Sequence, residues 1–446
     1  MAGREGAPLR EFAVAAVRRL TEAGHRALFA GGCVRDQLLG REPKDYDVAT
    51  SARAEEVQRL FPRTVAVGAA FGVVEVLGAG PAPPRVEVAT FRRDAGYSDG
   101  RHPDAVEFAG EVEDVKRRDF TVNGLLYDPL TDEVLDYVGG RQDLARRLIR
   151  AIGDPRARFR EDRLRMLRAV RFAAELGFEL DGLTFAALKK EAAHVREVSA
   201  ERIRDELAKM LTGPRPRRAF ELLKSGRLLK EVLPEVEALA GVPQPEEFHP
   251  EGDVWTHTLL MLSGLSSGPL TLALGVLLHD IGKPPTCVRA ADRIRFNEHE
   301  ELGATMAGEI LRRLRFPNEV LERVTELVRQ HMAFKDVRHM RPARLKRFLR
   351  MPHFDKHLEL HRLDCLASHG SLECYEFCRA QQALLSAEQL RPPPLLTGED
   401  LKALGLEPGP LFGRILADLE DRQLEGTLSR REAALEHVRK TYLEGR

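Results

Sequence analysis

A glycine pair between a short apolar run and a helical segment constrains the first part of this chain more than any other feature. The run 27–30 (ALFA) predicts a buried strand that ends at Gly31 and Gly32, and residues 34–39 have helical character. Glycine lets backbone N–H groups approach an anion closely, and Arg35 can donate several hydrogen bonds to phosphate oxygens. Strand, glycine pair and helix together predict a phosphate-binding site.

Two aspartates, Asp45 and Asp47, follow this turn with one residue between them. On an extended segment both carboxylates point to the same face, where they can bind Mg²⁺. Two metal ions at such a site can activate an attacking hydroxyl group and stabilise departing pyrophosphate. An isolated Asp-x-Asp pair is usually a solvated turn. The glycine pair just before it favours a metal site instead, and the two motifs together predict nucleotidyl transfer.

Three segments of the chain resemble one enzyme family. The segment 31–47, GGCVRDQLLGREPKDYD, is similar to the head motif of class II tRNA nucleotidyltransferases, the CCA-adding enzymes, and of the related bacterial poly(A) polymerases. The segments 117–124 and 136–143 are similar to the family's second and third motifs. The resemblance implies a polymerase-β-like head, with a small mixed sheet and helices. The residues expected to bind the triphosphate and the sugar are Gly32, Arg35 and Arg118.

The segment 161–172 predicts how a base is chosen. Asp162 and Arg165 are three residues apart on a predicted helix and share a face. Cytosine and adenine each present an amino donor beside a ring-nitrogen acceptor, whereas uracil and guanine present the inverse. A carboxylate and a guanidinium therefore accept C and A and reject U and G. A surface ion pair is the alternative, but the segment resembles the family's Glu-Asp-x-x-Arg template motif. Arg168 and Arg171 drift around the helix towards another part of the nucleotide, such as its phosphates.

Positive charge is concentrated in one segment of the chain. Lys+Arg and Asp+Glu balance at 69 each, which argues against binding of nucleic acid through overall charge. The segment 141–171, however, contains eleven arginines and four acidic residues. A basic segment on a neutral protein suits a polyanion held at one place, and a solvated basic helix face is the alternative.

A second group of residues predicts a metal site in the helical half of the chain. It consists of His257, His279, Asp280 and Asp364, with His299 and His331 as additional histidines. This spacing resembles the HD phosphohydrolase superfamily, in which His…His-Asp…Asp binds a divalent metal. Imidazole and carboxylate together suit Mn²⁺, Ni²⁺, Co²⁺ or Mg²⁺ better than structural zinc. The additional histidines leave room for a second metal. Lys283 is expected to be solvated, with contact to a substrate phosphate as the alternative.

Patterning predicts a mixed α/β first third and helices from Asp154 onward. Strands are expected at 64–67, 73–77, 85–91 and 134–137, and helices at 200–211 and 217–229. Proline-rich breaks at 242–250 and 391–394 suggest boundaries. The expected class is α+β, with a nucleotidyltransferase head (1–150), an all-α neck with the amino-acid template (151–240), an HD domain (241–390) and a helical tail (391–446).

Two features near the head strands are weaker signals. The polar, glycine-containing segment 92–104 is expected to be a mobile loop, and the resemblance implies that such a loop accompanies addition of the terminal A. Glu87, on the preceding strand, is a candidate third carboxylate at the metal site.

The function predicted from these motifs is template-independent addition of C, C and A to the 3′ end of tRNA, from CTP and ATP with Mg²⁺. An HD phosphohydrolase activity is expected in addition. An A-adding enzyme shares every motif, and the sequence does not separate the two. A poly(A) polymerase is less favoured, because the tail has nine basic and ten acidic residues and no polyanion track. A chain that is chiefly an HD phosphohydrolase with a relic head is a further alternative, although intact Asp45, Asp47 and Asp162 argue against it.

The cysteines and the apolar segments indicate the cellular compartment in which the protein is expected. The five cysteines form no Cys-x-x-Cys pair, and the sequence shows neither a signal peptide nor an apolar run long enough to span a bilayer. These observations predict a cytoplasmic protein with reduced thiols and no membrane partner. The sequence leaves the oligomeric state open.

Overall fold

The computed structural model describes residues 6–68, 72–95, 105–247, 249–290 and 294–444. Its chain divides into two compact units, the first mainly up to Glu237 and the second mainly from Ala238 onward. Among the described residues, no helix combines the length and the apolar character that crossing a membrane requires. The four predicted domains and the three boundaries between them stay predictions.

The first unit begins with a seven-stranded sheet of mixed direction, in the order β3-β4-β5-β2-β1-β8-β9. Strands β2 and β5 are parallel and the other neighbours are antiparallel. The strands of this unit are β1 (Ala27–Ala30), β2 (Asp47–Thr50), β3 (Thr64–Gly68), β4 (Val73–Leu77), β5 (Arg85–Thr90), β6 (Arg92–Ala95), β7 (Ala105–Phe108), β8 (Leu125–Asp128), β9 (Glu133–Asp136), β10 (Leu148–Ile149) and β11 (Glu179–Leu180). The predicted α+β class with a small mixed sheet is confirmed.

All five strands predicted from the patterning are present, with bounds that differ by at most one residue. The predicted loop 92–104 is only partly testable, because residues 96–104 lie outside the described residues. Residues 92–95 are not loop, since β6 pairs with β7 in an antiparallel ribbon. Charged residues in an exposed two-stranded ribbon give little hydrophobic alternation, so this strand was not predicted.

Among its described residues, the first unit contains twelve α-helices. They are α1 (Gly6–Glu22), α2 (Gly32–Leu38), α3 (Ala54–Leu60), α4 (Glu111–Lys116), α5 (Gly140–Arg146), α6 (Pro155–Glu161), α7 (Leu164–Leu176), α8 (Gly182–Glu191), α9 (Ala200–Leu211), α10 (Pro216–Ser225), α11 (Leu229–Val232) and α12 (Pro234–Glu237). The predicted helix 200–211 is confirmed. The predicted helix 217–229 ends at Ser225, because Arg227 adopts a left-handed backbone conformation (φ 63°) that a helix cannot accommodate.

The second unit is almost entirely helical. Its helices are α13 (Val254–Ser263), α14 (Leu270–Leu278), α15 (Lys283–Thr286), α16 (His299–Arg313), α17 (Asn318–Gln330), α18 (Pro342–Leu349), α19 (Phe354–Ala367), α20 (Glu373–Leu384), α21 (Ala387–Leu390), α22 (Gly398–Ala403), α23 (Pro410–Leu424) and α24 (Arg431–Val438). Two short strand pairs among the described residues depart from the all-α expectation: β11 of the predicted neck pairs with β10, and β12 (Cys287–Arg289) pairs with β13 (Ile294–Phe296). Helices α22 to α24 enclose a hydrophobic cluster of their own, which includes Leu401, Ile415 and Leu419.

Candidate functional site

A cavity of about 480 Å³ in the first unit collects most of the residues predicted in the head and neck. Its lining residues are Gly31, Gly32, Arg35, Asp45, Asp47, Arg117, Arg118, Asp119, Asn123, Asp162, Arg165, Arg168 and Phe172. Of the predicted set, Arg171 and the candidate third carboxylate Glu87 are outside this lining. The predicted phosphate, metal and base-reading residues therefore share one site.

Three carboxylates meet where β2 begins. Asp47 is the first residue of β2 and lies directly opposite Glu87 in the parallel neighbour β5, while Asp45 lies just before the strand. The pKa of Asp47 is raised to about 7 by the dense protein around it and by the charges of Glu87 and Asp45, although the side chain is exposed to solvent. Burial and the charge of Asp45 also raise the pKa of Glu87. A divalent cation would relieve this repulsion, and an all-oxygen set fits Mg²⁺.

Gly31 allows a guanidinium to approach the turn between β1 and α2. Its φ of 75° is readily adopted only by glycine, and a Cβ atom there would lie 3.1 Å from Arg118 Nη1. Arg118 is held by Asp114, whose Oδ2 accepts hydrogen bonds from Nε at 3.2 Å and Nη2 at 2.9 Å. Burial would raise the pKa of Asp114, but Arg118 and Arg117 outweigh this effect and lower it. The charged pair thus fixes Arg118 beside the glycine turn.

A chain of hydrogen bonds connects Arg35 to Arg168. Arg35 Nη1 donates to Asn123 Oδ1 at 2.7 Å, and Asn123 Nδ2 donates to Asp119 Oδ1 at 3.1 Å. Asp119 Oδ2 accepts from Arg168 Nε at 2.8 Å and from Nη2 at 2.6 Å. The guanidinium carbons of both arginines lie within 5.3 Å of the Phe172 ring centroid, at distances typical of cation–π contacts. The turn after β1 and helix α7 are therefore joined by polar and aromatic contacts.

The two predicted base-reading residues are each held by a different partner. Asp162 Oδ2 accepts a hydrogen bond from Arg202 Nη2 at 2.8 Å. Arg165 donates to Glu161 Oε2 at 2.6 Å and to the carbonyl of Arg117 at 2.8 Å. Both side chains line the cavity, and the surface ion pair between them, considered as the alternative, is not among the contacts of the described residues.

The side chain of Arg171 pairs with acidic residues that are not part of the cavity lining. Its Nε donates to Glu206 Oε2 at 2.6 Å and its Nη1 donates to Glu175 Oε2 at 3.0 Å, and the side chain is largely buried. The expected contact of Arg171 with the nucleotide stays a prediction, and these contacts favour a role in holding helices together.

The second unit brings the predicted HD residues into one buried centre. Two groups of candidate ligands each have their ligand atoms within 4.8 Å of one another: His257, His279 and Asp364 in one, and Asp280, His299 and His331 in the other. The two groups are adjacent, because His279 Nε2 lies 3.1 Å from Asp280 Oδ2. Six ligands from five elements of the chain thus converge, enough for two divalent cations.

The histidines of this centre are oriented with Nε2 inward. The Nδ1–H groups of His279, His299 and His331 donate to the carbonyls three residues earlier, at 2.9, 2.8 and 2.6 Å. Glu251 accepts from His257 Nδ1 at 2.6 Å. A hydrogen bond at Nδ1 fixes the tautomer in which the Nε2 lone pair is available to a metal.

Unpaired atoms at the centre fit a metal. His257 Nε2, His279 Nε2 and Asp280 Oδ1 are buried and make no hydrogen bond of good geometry to any described residue, although carboxylate oxygens lie 3.1 Å from both imidazole nitrogens. Such groups are costly without a partner. Burial and His279 lower the pKa of His331 to about 3, so this ring is neutral at ordinary pH, as a ligand must be.

The prediction that Lys283 is solvated is wrong. Lys283 is 6% exposed, and its Nζ lies 2.7 Å from Asp280 Oδ2 and donates to Gln244 Oε1 at 2.7 Å. Gly282 explains the burial, because a Cβ atom there would lie 2.1 Å from the carbonyl oxygen of His299. The lysine still borders a cavity of about 690 Å³ that opens onto the HD centre, together with Arg295 and Lys335.

Three family models match successive parts of the chain. Residues 27–150 match the poly A polymerase head domain, residues 177–239 match the probable RNA and SrmB-binding site of polymerase A, and residues 254–360 match the HD domain. Residues 27–150 are thus similar to the poly A polymerase head domain. The resemblance found in the sequence motifs, including the HD domain, is confirmed.

Individual CCA-adding enzymes are similar to the chain over different lengths. The CCA-adding enzymes of Lactobacillus helveticus and Bacillus subtilis are each 44% identical to it over 221 residues, 49% of this chain and 54% and 55% of theirs. The chain thus spans about half the length of the curated relatives it matches. The crystal structure of the Bacillus stearothermophilus CCA-adding enzyme in complex with CTP matches with a TM-score of 0.73 and 27% identity, over 98% of this chain and 100% of that one. A Thermotoga maritima CCA-adding enzyme complexed with tRNA_CCA shares the fold, with a TM-score of 0.60 and 20% identity over 97% and 95% of the two chains.

Besides Arg117, which lies in the quoted segment 117–124 and lines the cavity, four residues at or beside the head cavity were not assigned from sequence. Asp119 and Asn123 lie within the quoted segment 117–124, and their spacing of four residues was a usable signal. Phe172 is the last residue of the quoted template segment and reads as an ordinary core aromatic. Arg202 is forty residues from Asp162, and no local spacing indicates their contact.

The raised pKa of Asp47 predicts a pH-dependent stability. Its folded-state pKa of about 7 lies above the ordinary value, so ionisation of Asp47 lowers the stability of the metal-free protein as pH rises from about 4 to 7. Asp47→Asn should therefore raise the melting temperature in EDTA, more at pH 8 than at pH 5. Thermal unfolding at both pH values is the measurement, and an equal gain at both would contradict the shared-carboxylate explanation.

The close approach at Gly282 predicts a local packing defect. Gly282→Ala should destabilise the second unit by about 1–3 kcal/mol, since the new methyl group must displace the His299 carbonyl. Gly413→Ala in α23 is the matched control, because a Cβ atom there meets nothing within 4 Å. Chemical denaturation of the metal-free variants measures the difference, and equal stability of the two would remove this explanation for the burial of Lys283.

Proposed function

We propose that this protein adds C, C and A to the 3′ end of tRNA, from CTP and ATP with Mg²⁺, in the cytoplasm where these substrates occur. The observation that carries the proposal is the single cavity that contains the carboxylates, the arginines and the Asp162–Arg165 pair. Relatives and solved structures named as CCA-adding enzymes support it.

In this proposal, Asp45 and Asp47 hold Mg²⁺, with Glu87 as the adjacent carboxylate. When bound, Mg²⁺ supplies activation of the tRNA 3′-hydroxyl and charge neutralisation on the pyrophosphate leaving group. Arg35 and Arg118 bind the triphosphate. Each of them is fixed by a protein partner, Asn123 or Asp114, so little side-chain ordering is needed when the nucleotide arrives.

Base choice follows from hydrogen-bond polarity. Asp162 accepts the amino proton of cytosine or adenine, and Arg165 donates to the neighbouring ring nitrogen. Uracil and guanine would place an acceptor against the carboxylate and a donor against the guanidinium. Because both side chains belong to the protein, no nucleic acid template is required.

The reaction can be tested with tRNA transcripts that end at the discriminator base, at C or at CC, each incubated with one NTP. Full CCA addition predicts incorporation of C on the first two transcripts and of A on the third. Incorporation of A alone on the CC transcript would identify an A-adding enzyme. Processive A addition to unrelated RNA would identify a poly(A) polymerase.

Replacing the first aspartate of the pair should abolish this reaction. Asp45→Ala removes an expected metal ligand at the reacting phosphorus, whereas the tRNA body does not depend on that carboxylate for binding. We expect loss of nucleotide incorporation with tRNA affinity nearly unchanged, measured by gel extension and filter binding. Residual incorporation within tenfold of the unmodified protein would contradict the metal assignment.

We propose a second, metal-dependent phosphohydrolase activity for the HD centre. Six converging ligands with inward lone pairs support it, and they suit Mn²⁺, Ni²⁺, Co²⁺ or Mg²⁺. Lys283, Arg295 and Lys335 on the adjoining cavity suit a phosphorylated substrate.

The two activities should separate by mutation. His279→Ala with Asp280→Ala removes a ligand from each of the two HD groups, so hydrolysis of 2′,3′-cyclic or terminal phosphates should disappear. CCA addition should persist, because its proposed residues lie in the first unit. Both activities are measured on the same preparation, with folding checked by circular dichroism. An unmodified protein inactive with all four cations would reduce the HD centre to a scaffold, and loss of CCA addition in a folded variant would mean that the activities are coupled.

A further inference from the structure

The carboxylate of Asp162 is held on both of its oxygens. Oδ1 accepts a hydrogen bond from the backbone N–H of Leu164 at 3.0 Å, and Oδ2 accepts one from Arg202 Nη2 at 2.8 Å. The side chains of Asp162 and Arg202 are 19% and 23% exposed, so water shields this charged pair only partly. Two bonds to different oxygens fix both the position and the plane of the carboxylate.

This restraint leaves the carboxylate able to accept one more proton donor. An ionised carboxylate offers about four lone-pair sites, and the two bonds use one on each oxygen. A base amino group meets the right acceptor only if the carboxylate plane is fixed before it arrives. Without Arg202, the side chain of Asp162 would keep only its bond to Leu164 as an anchor.

Arg202 itself is held in place by its helix. It lies in the first turn of α9, and Glu206, one turn later, accepts a hydrogen bond from Arg171 of α7 at 2.6 Å. Two ion pairs therefore join α9 to the template region, Arg202 with Asp162 and Glu206 with Arg171. Glu206 and Arg171 are both buried, so the second pair is shielded from water.

We infer that Arg202 is a positioning residue for base selection, acting through Asp162 on nucleotides with an amino donor beside a ring-nitrogen acceptor. The inference rests on the proposed nucleotidyl transfer. It gives α9 a role in specificity, because Arg202 of α9 holds Asp162. Arg165, in contrast, is held by Glu161 and by the carbonyl of Arg117, which both precede α7.

The test compares kcat/KM for CTP and UTP on a transcript that ends at the discriminator base. Arg202→Gln should lower the CTP/UTP ratio by about tenfold, the effect of one lost hydrogen bond to a charged group. Arg202→Lys keeps a cationic donor and should retain most of the ratio. Arg204→Gln is the matched control: it lies on the same helix, pairs with Asp205 and lies outside the cavity lining, so the ratio should not change.

A double variant separates positioning from general damage. If Arg202 acts through Asp162, Arg202→Gln should change the CTP/UTP ratio little when added to Asp162→Ala. An Arg202→Gln protein that is slower with CTP and UTP alike, with an unchanged ratio, would show that the pair is only structural. Loss of the ratio in Arg204→Gln as well would assign the effect to helix stability. If the unmodified protein fails to prefer CTP over UTP, the proposed function itself is wrong, whatever Arg202 does.

Discussion

Pairing of arginine with buried or half-buried carboxylates is the interaction on which the head cavity depends. Arg118 is paired with Asp114, Arg168 with Asp119, and Arg165 with Glu161. Unpaired, several guanidiniums around one cavity would repel one another and sample many rotamers. Paired, each loses little further freedom on meeting an anion, and the carboxylates offset much of the positive charge. The cavity is thereby ordered before any nucleotide enters.

The two expected metal sites achieve their order by different means. In the head, strand register places Glu87 against Asp47, and repulsion between carboxylates leaves the site poised for a cation. In the HD centre, imidazoles are oriented through Nδ1, mostly by carbonyls of their own helices or turns. The first arrangement depends on charge and changes with pH near neutrality. The second depends mainly on geometry.

The parts that sequence predicts well are those governed by local patterns. The strand predicted at 85–91 begins with alternating polar and apolar residues, and Asp45 and Asp47 are close in sequence, so both were found without any long-range information. The burial of Lys283 was missed because it follows from contact between Gly282 and His299, seventeen residues later. The pair of Arg202 with Asp162 was missed for the same reason. Patterns within one helix cannot show which charged residue of another helix lies opposite.

The hydrogen bonds at Nδ1 also determine how the HD centre behaves without a bound cation. Rings anchored through Nδ1 have little freedom to turn, so their Nε2 atoms keep similar positions with or without a cation. A set of ligands with constant dimensions selects metal ions by their ionic radius and by their supply, because it cannot adapt its shape to the ion that binds. Exchange of one divalent ion for another should then proceed without refolding of the surrounding helices.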